Sequence, residues 1–252
     1  MSERRNPMRA AQAHMRPEPI KRFYRTVDVR EEHGAHALML DGRCARTPGQ
    51  RRLAAASRPL MLKVAEEWAR QGETLEPDDM PLTRLLNAAI DGVGRRMAAT
   101  RAEIVAYAGS DLLCYRAVEP EALVERENAA FDPVLDWAAD RLRARLRSAA
   151  GVMHVAQPPE ALDAVRAALD EFDDPIALAA LAAITNLTGS ALLALAVAHG
   201  RLTPEDAWRA AHLDEDFQAE RWGVDAEAMA RRAARWREME AAAAVFSAVG
   251  EV

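Results

Sequence analysis

The run from Asp174 to Gly200 limits what the rest of this chain can do, because it carries no acidic, lysine or arginine side chain between those two residues. Asp174 can cap a helix, Pro175 suits its first position and Gly200 suits its exit, so the punctuation predicts one helix over residues 175–199. A helix apolar on nearly all sides has to be buried. It reaches the roughly 20 residues that a membrane span needs. However, Ala dominates over Leu and Ile, and Thr185, Asn186, Thr188 and Ser190 cluster at its centre. It is therefore read as the central rod of a soluble bundle, not membrane-embedded. The alanines and Gly189 would let neighbouring helices approach, and the central hydroxyls and amide could bond across to them or to backbone carbonyls.

The remaining chain must wrap this rod. With 252 residues, half of them hydrophobic, it is long enough for one large domain or two modest ones and is not a disordered polymer. Aromatics are only 5% and alanine is abundant, which leans the composition towards helix. Lys+Arg 33 against Asp+Glu 39 gives a net charge of -6, so no nucleic-acid partner is expected, since phosphate contacts need a basic surface. Cys44 and Cys114 lie far apart without metal-ligand spacing, which indicates neither a disulfide scaffold nor a zinc site.

Residues 1–21 read as a disordered basic arm, with Arg4, Arg5, Arg9, Arg16 and Lys21 against Glu3 and Glu18. The arm has no apolar core for secretion. Pro7, Pro17 and Pro19 would interrupt the amphipathic helix of a transit peptide. A cytoplasmic protein is expected, or a mitochondrial-matrix one if the source is eukaryotic.

Residues 22–82 read as an α+β domain. Phe23, Arg25, Val27 and Val29 alternate along a first strand with Tyr24 opposite, His33-Gly34 makes a turn, residues 35–40 form a second strand, and Asp41-Gly42 signals a tight hairpin. Such a small antiparallel β-meander cannot bury both faces by itself. The predicted cover is a helix over 57–71, capped by Ser57, with Leu60, Met61, Val64, Ala65 and Trp68 on one stripe. Residues 83–252 read as an all-helical domain, making the chain mainly α. Helices are expected at 83–93, 96–108, 121–130, 131–146 with its start near Pro133, 161–172, 175–199, 203–222 and 225–246. No convincing strand is seen beyond residue 108.

No catalytic, metal or cofactor motif stands out. Gly92-Val93-Gly94 lacks the third glycine of a dinucleotide fingerprint, and Gly109-Ser110-Asp111 is not a nucleophile elbow. Cys114, inside Leu112-Leu113-Cys114-Tyr115, reads as a small buried hydrophobe. His212, Asp216 and Glu220 fall at i, i+4 and i+8, and read as a solvated ridge rather than a metal site. On the same predicted helix, Trp208, Ala211, Glu215, Gln218 and Trp222 share one stripe while Leu213 and Phe217 point the other way. Two readings of Glu215, in the middle of that stripe, stay open: an internal salt bridge to an arginine, or the charged centre of a docking surface.

At these residues the chain resembles a known family, the Atp-twelve assembly chaperones of the ATP synthase catalytic head. The marks are Phe23-Tyr24-Arg25, Leu40-Asp41-Gly42-Arg43 with Thr47-Pro48, Glu66-Glu67-Trp68, Met80-Pro81-Leu82-Thr83 and Asn87-Ala88-Ala89-Ile90-Asp91. Further on come Asp111-Leu112-Leu113-Cys114-Tyr115-Arg116-Ala117 and Leu213-Asp214-Glu215-Asp216-Phe217-Gln218, ending in Trp222-Gly223. The resemblance covers nearly everything after the arm. It implies an α+β domain followed by an all-helical one, no catalysis, and the unassembled ATP synthase alpha subunit as client; separately, no cofactor is expected, and the free protein is expected to be a monomer. It also implies a functionally important carboxylate in the C-terminal helical region, matched to Glu215. Partner binding is then expected at Trp208, Asp214, Glu215, Gln218 and Trp222, and structural roles at Trp68, Asp111 and Arg116. The rival from another class is an enzyme or small-molecule binder using a Trp208/Glu215/Trp222 cleft.

Overall fold

A computed structural model describes residues 20–151 and 153–249. The expected arm therefore lies almost wholly outside the described residues. Strands β1 (Val27–Glu32) and β2 (Ala35–Leu40) pair antiparallel in the register Val27↔Leu40 to Glu32↔Ala35. They turn at His33-Gly34, where φ is 55° and 75°, the paired positive values that a two-residue hairpin turn requires. Asp41-Gly42 repeats this geometry, and β3 (Arg43–Cys44) and β4 (Ala54–Ala55) then pair with β2 on its other edge. Thus β2 is the central strand, and Ala37 to Leu40 are all buried.

The first strand begins later than its alternation predicts. Arg25 and Thr26 leave strand geometry to donate their backbone N–H groups to the Asp41 carboxylate, at 3.0 and 2.8 Å. That breaks the period: Tyr24 is buried at 4% exposure and Phe23 is 66% exposed, the reverse of the predicted faces. Helix α1 (Arg58–Ala69), capped by Ser57, lays Leu60, Met61 and Val64 across the sheet. Its Glu67 is also buried and crosses to α2 (Pro81–Asp91), where it accepts from Leu82 N, Thr83 N and Thr83 Oγ1 at 2.7, 2.8 and 2.7 Å. Met80 precedes α2 and has no side-chain acceptor to cap it, so a carboxylate from another helix does.

Helices α3 (Met97–Ala108), α4 (Glu121–Trp137) and α5 (Pro159–Leu169) follow. The helices expected at 121–130 and 131–146 are one: α4 runs through Pro133 and into a π turn, Ala138–Leu142. Burial of Leu123, Phe131, Val134 and Ala138 along one stripe offsets the hydrogen bond that Pro133 cannot donate. Beyond residue 108, where no strand was expected, β5 (Tyr115–Arg116) and β6 (Ala149–Ala150) form a two-residue parallel pair.

The apolar run is not one rod. It forms α6 (Pro175–Thr188) and α7 (Ala191–Ala198), separated by Gly189 at φ 68°. Gly189 N–H closes α6 on Thr185 O at 2.8 Å, and the Ser190 hydroxyl caps α7 by accepting Leu193 N at 3.0 Å. Thr188 and Ser190 of the polar cluster therefore serve a helix break, whereas Asn186 accepts from the Tyr107 hydroxyl of α3 at 2.6 Å. Both halves are buried, α7 from Ala191 to Ala196 completely.

The helix predicted over 203–222 is also two, α8 (Pro204–Ala211) and α9 (Leu213–Trp222), and α10 (Ala226–Val249) closes the fold by packing on α6, α2 and α1. One hydrophobic cluster runs from Tyr24 to Ala248, across the boundary expected at residue 82. No helix among the described residues is long and apolar enough to cross a membrane.

Candidate functional site

The break between α8 and α9 falls at His212, whose φ of -114° and ψ of 20° leave the helical region. Its ring lies against Trp208, with centroids 3.9 Å apart, and its Nδ1 is 2.9 Å from Trp208 O. Trp236 of α10 meets Trp208 on another side, at 5.4 Å between centroids. Trp208 is therefore a core residue. Trp222, at the far end of α9, is 83% exposed. The stripe of Trp208, Glu215 and Trp222 does not form, because continuous helical spacing does not hold across His212, and the rival cleft built on those three residues is absent.

The ridge of His212, Asp216 and Glu220 is likewise not a solvated row. His212 is buried, and that burial holds its pKa below the ordinary value. Asp216 is gripped by both Arg232 guanidinium nitrogens, and Glu220 accepts from Arg126 at 2.9 Å. Among the described residues no trio of His, Cys, Asp or Glu is grouped to hold a metal. Cys114 is fully buried, and burial pushes its thiol up to about 12, so it is an inert apolar side chain.

What the break creates is a different arrangement. Asp214, Glu215 and Asp216 occupy the first turn of α9, where the free N–H groups and helix dipole favour negative charge. Glu215 and Gln218 are exposed, and Glu215 makes no ion pair among the described residues. Asp214 and Glu215 form one wall of a cleft of about 520 Å³. The opposite wall comes from α4 and the segment around β5, with Leu112, Val118, Phe131 and Leu213 as apolar lining. Glu127 of α4 lies there at 2% exposure, accepting Ala117 N at 2.7 Å. Burial first, and the neighbouring Asp214 carboxyl after it, hold the Glu127 pKa above the usual carboxylate value. Glu127 is absent from the sequence-predicted site residues, although it interrupts the apolar spacing Leu123, Phe131, Val134 at a core position.

Arg116 of β5 is buried in the same wall. It donates to Leu113 O and, at 2.7 Å, to Asp132, and its guanidinium sits 4.7 Å from the Phe131 ring centroid. Behind it Asp111 is fully buried and ties the turn Leu112–Cys114 to α7 through Leu113 N and Leu192 N, both at 3.1 Å. Trp68 lies away from this cleft. It is half-buried beside Tyr24, with its Nε1 donating to Thr83 Oγ1 at 3.1 Å.

Residues 21–139 match the family model described as the ATP12 chaperone protein. The crystal structure of the Atu1473 protein from Agrobacterium tumefaciens is 47% identical, superposes with a TM-score of 0.88, and the match covers 98% of this chain and 92% of that one. The crystal structure of Atp12 from Paracoccus denitrificans is 42% identical at a TM-score of 0.84, covering 91% of this chain and 98% of that one. A point mutant of the same Paracoccus protein matches at 41% identity and a TM-score of 0.84, over 91% and 97% of the two chains. With this likeness holding over both the sheet and the helices, the chain belongs to the ATP12 chaperone protein family.

Proposed function

We propose that the protein is an assembly chaperone of ATP synthase which binds the unassembled alpha subunit of the catalytic head through the first turns of α9. The observation that carries the reading is Glu215, a carboxylate exposed on the rim of a cleft and unpaired among the described residues, in a chain of the ATP12 family. Gln218 and Trp222 on the same helix are exposed too, and a half-apolar, half-charged surface of this kind suits a protein partner. Asp214 extends the charge of this surface into the cleft.

An alpha subunit that has not met its beta partners exposes interface surface that would otherwise aggregate. A chaperone covers it by binding, with an affinity below that of the final interface, so that beta subunits displace it. This cycle needs neither catalysis nor a nucleotide on the chaperone, and it fits a monomer acting in the bacterial cytoplasm or the mitochondrial matrix.

The test is light scattering of purified alpha and beta subunits diluted from denaturant, each with and without the chaperone. Suppression is expected for alpha, with release on adding beta. Equal protection of both subunits, or of beta alone, would contradict the assignment of the client.

A further inference from the structure

We propose that the cleft between α4 and α9 receives an arginine side chain of the client, its guanidinium lying between Glu127 and Asp214 and its methylenes against Phe131 and Leu213. This rests on the chaperone reading above and names the chemistry of the segment bound.

Four carboxylates line the cleft, those of Glu119, Glu127, Asp214 and Glu215, against a single guanidinium, that of Arg116. Arg116 offsets only part of this charge: two of its donors go to Leu113 O and Asp132, and its field on Glu127 is outweighed by burial. Glu127 is the unusual member. It is nearly completely buried, one of its oxygens accepts Ala117 N, and among the described residues the other has no backbone, arginine or lysine donor. Its neighbour in the cleft lining is the Asp214 carboxyl, which opposes its ionisation. Two carboxyls side by side repel when both are ionised, and a buried one is costly to charge. A fold that keeps such a pair open to a 520 Å³ cleft leaves an attractive site for a cation.

The shape of the site narrows the cation. A metal ion would need a compact group of three or more ligands, and no such group exists among the described residues. An ammonium is a compact charge that holds its water strongly, whereas a planar guanidinium presents five donors in a fork and can serve two carboxylates at once. The apolar lining between rim and floor suits the arginine stem, which buries its methylenes while delivering the charge.

The experiment titrates acetyl-Leu-Arg-Leu-amide, and separately acetyl-Leu-Gln-Leu-amide, into the 15N-labelled full chain. The Ala117 amide, bonded to Glu127, and the Leu213 amide are followed by NMR. The arginine peptide is expected to move both amides saturably, the glutamine peptide to leave them in place, and Asp214→Asn and Glu127→Gln each to weaken the arginine peptide at least tenfold. Asp214 is exposed, so its variant keeps the test valid if Glu127→Gln fails to fold. Equal shifts with both peptides, or unchanged affinity in Asp214→Asn, would overturn the proposal. If these variants still protect the alpha subunit while the peptide does not bind, the arginine site is wrong and the chaperone reading stands. If the wild type protects no alpha subunit, it is the chaperone reading that fails.

Discussion

The carboxylate of Asp111 accepts the backbone N–H of Leu192 at 3.1 Å, joining the turn after α3 to the start of α7 through a fully buried charge. Its second oxygen takes Leu113 N at 3.1 Å. Burial outweighs these bonds and raises the Asp111 pKa from 3.8 to about 6. A carboxyl whose folded pKa lies above its unfolded one favours the protonated native state. Its contribution is complete below about pH 4 and is lost as the pH rises through about 6, by roughly 3 kcal/mol. Urea midpoints from pH 4 to 7.5 should therefore fall less steeply with pH in Asp111→Asn than in the wild type. Comparing the two slopes removes the titrations of Glu67, Glu127, His199 and His212, which both proteins share. Parallel slopes would show that Asp111 does not titrate in this range.

Glu67 and Trp68 are neighbours in sequence with one target, Thr83 at the start of α2. Glu67→Ala strands two backbone N–H groups and a hydroxyl in a buried place and should cost about 2 to 4 kcal/mol, while Glu67→Gln, which keeps one acceptor, should cost less. Trp68→Arg loses the contact with Tyr24 and the Nε1 bond, but the half-buried site lets the new charge reach water, so about 2 to 3 kcal/mol is expected. Guanidinium denaturation of the three variants would rank them. A Trp68→Arg protein of unchanged midpoint would instead mark Trp68 as a contact residue for a partner.

Gly189→Ala tests the break in the apolar run. An added Cβ would lie 3.9 Å from Leu112 Cβ, an ordinary contact, so the cost comes from φ alone. About 1 to 2 kcal/mol is expected for alanine held in the left-handed region. A stabilised variant with more helix by circular dichroism would mean that residues 175–199 prefer the continuous rod.

These positions also divide what the sequence carries locally from what only the fold decides. The hairpin turns, the Ser57 cap, the stripe of α1 and the burial of the apolar run follow from residue type and spacing, and the structure contains all of them. The breaks at Gly189 and His212 do not. A glycine is tolerated within a helix at about 1 kcal/mol, so whether it ends one depends on Ser190 and Asp111 being present to take up the freed N–H groups. Continuity through Pro133 depends in the same way on the stripe that α4 buries. Periodicity carried across His212 puts Trp208 and Trp222 on one face, and the non-helical backbone of His212 ends that period. Glu127 was legible as a carboxylate at a core position, but its partner Asp214 is brought to it only by the turn at His212.

Glu215 gives the sharpest test of the docking surface, because its neighbour Asp216 is a built-in control. Glu215 is exposed and acts on folding only through the dipole of α9 and the weak fields at His212 and Arg232. Glu215→Ala should therefore change stability by less than about 1 kcal/mol. Asp216 holds Arg232 with two hydrogen bonds in a half-exposed pair, so Asp216→Ala should lose about 1 kcal/mol after screening by solvent, and loosen α9 from α10. Capture of the alpha subunit should respond in the opposite order. Glu215→Ala should weaken it strongly, because a cationic client group loses its counter-charge. Glu215→Lys should abolish it, because like charges then meet at the same place. Denaturation curves, read beside the light-scattering assay, decide the matter. Full protection of the client by Glu215→Lys would remove Glu215 from the interface, and a loss of several kcal/mol in Glu215→Ala would return it to the scaffold.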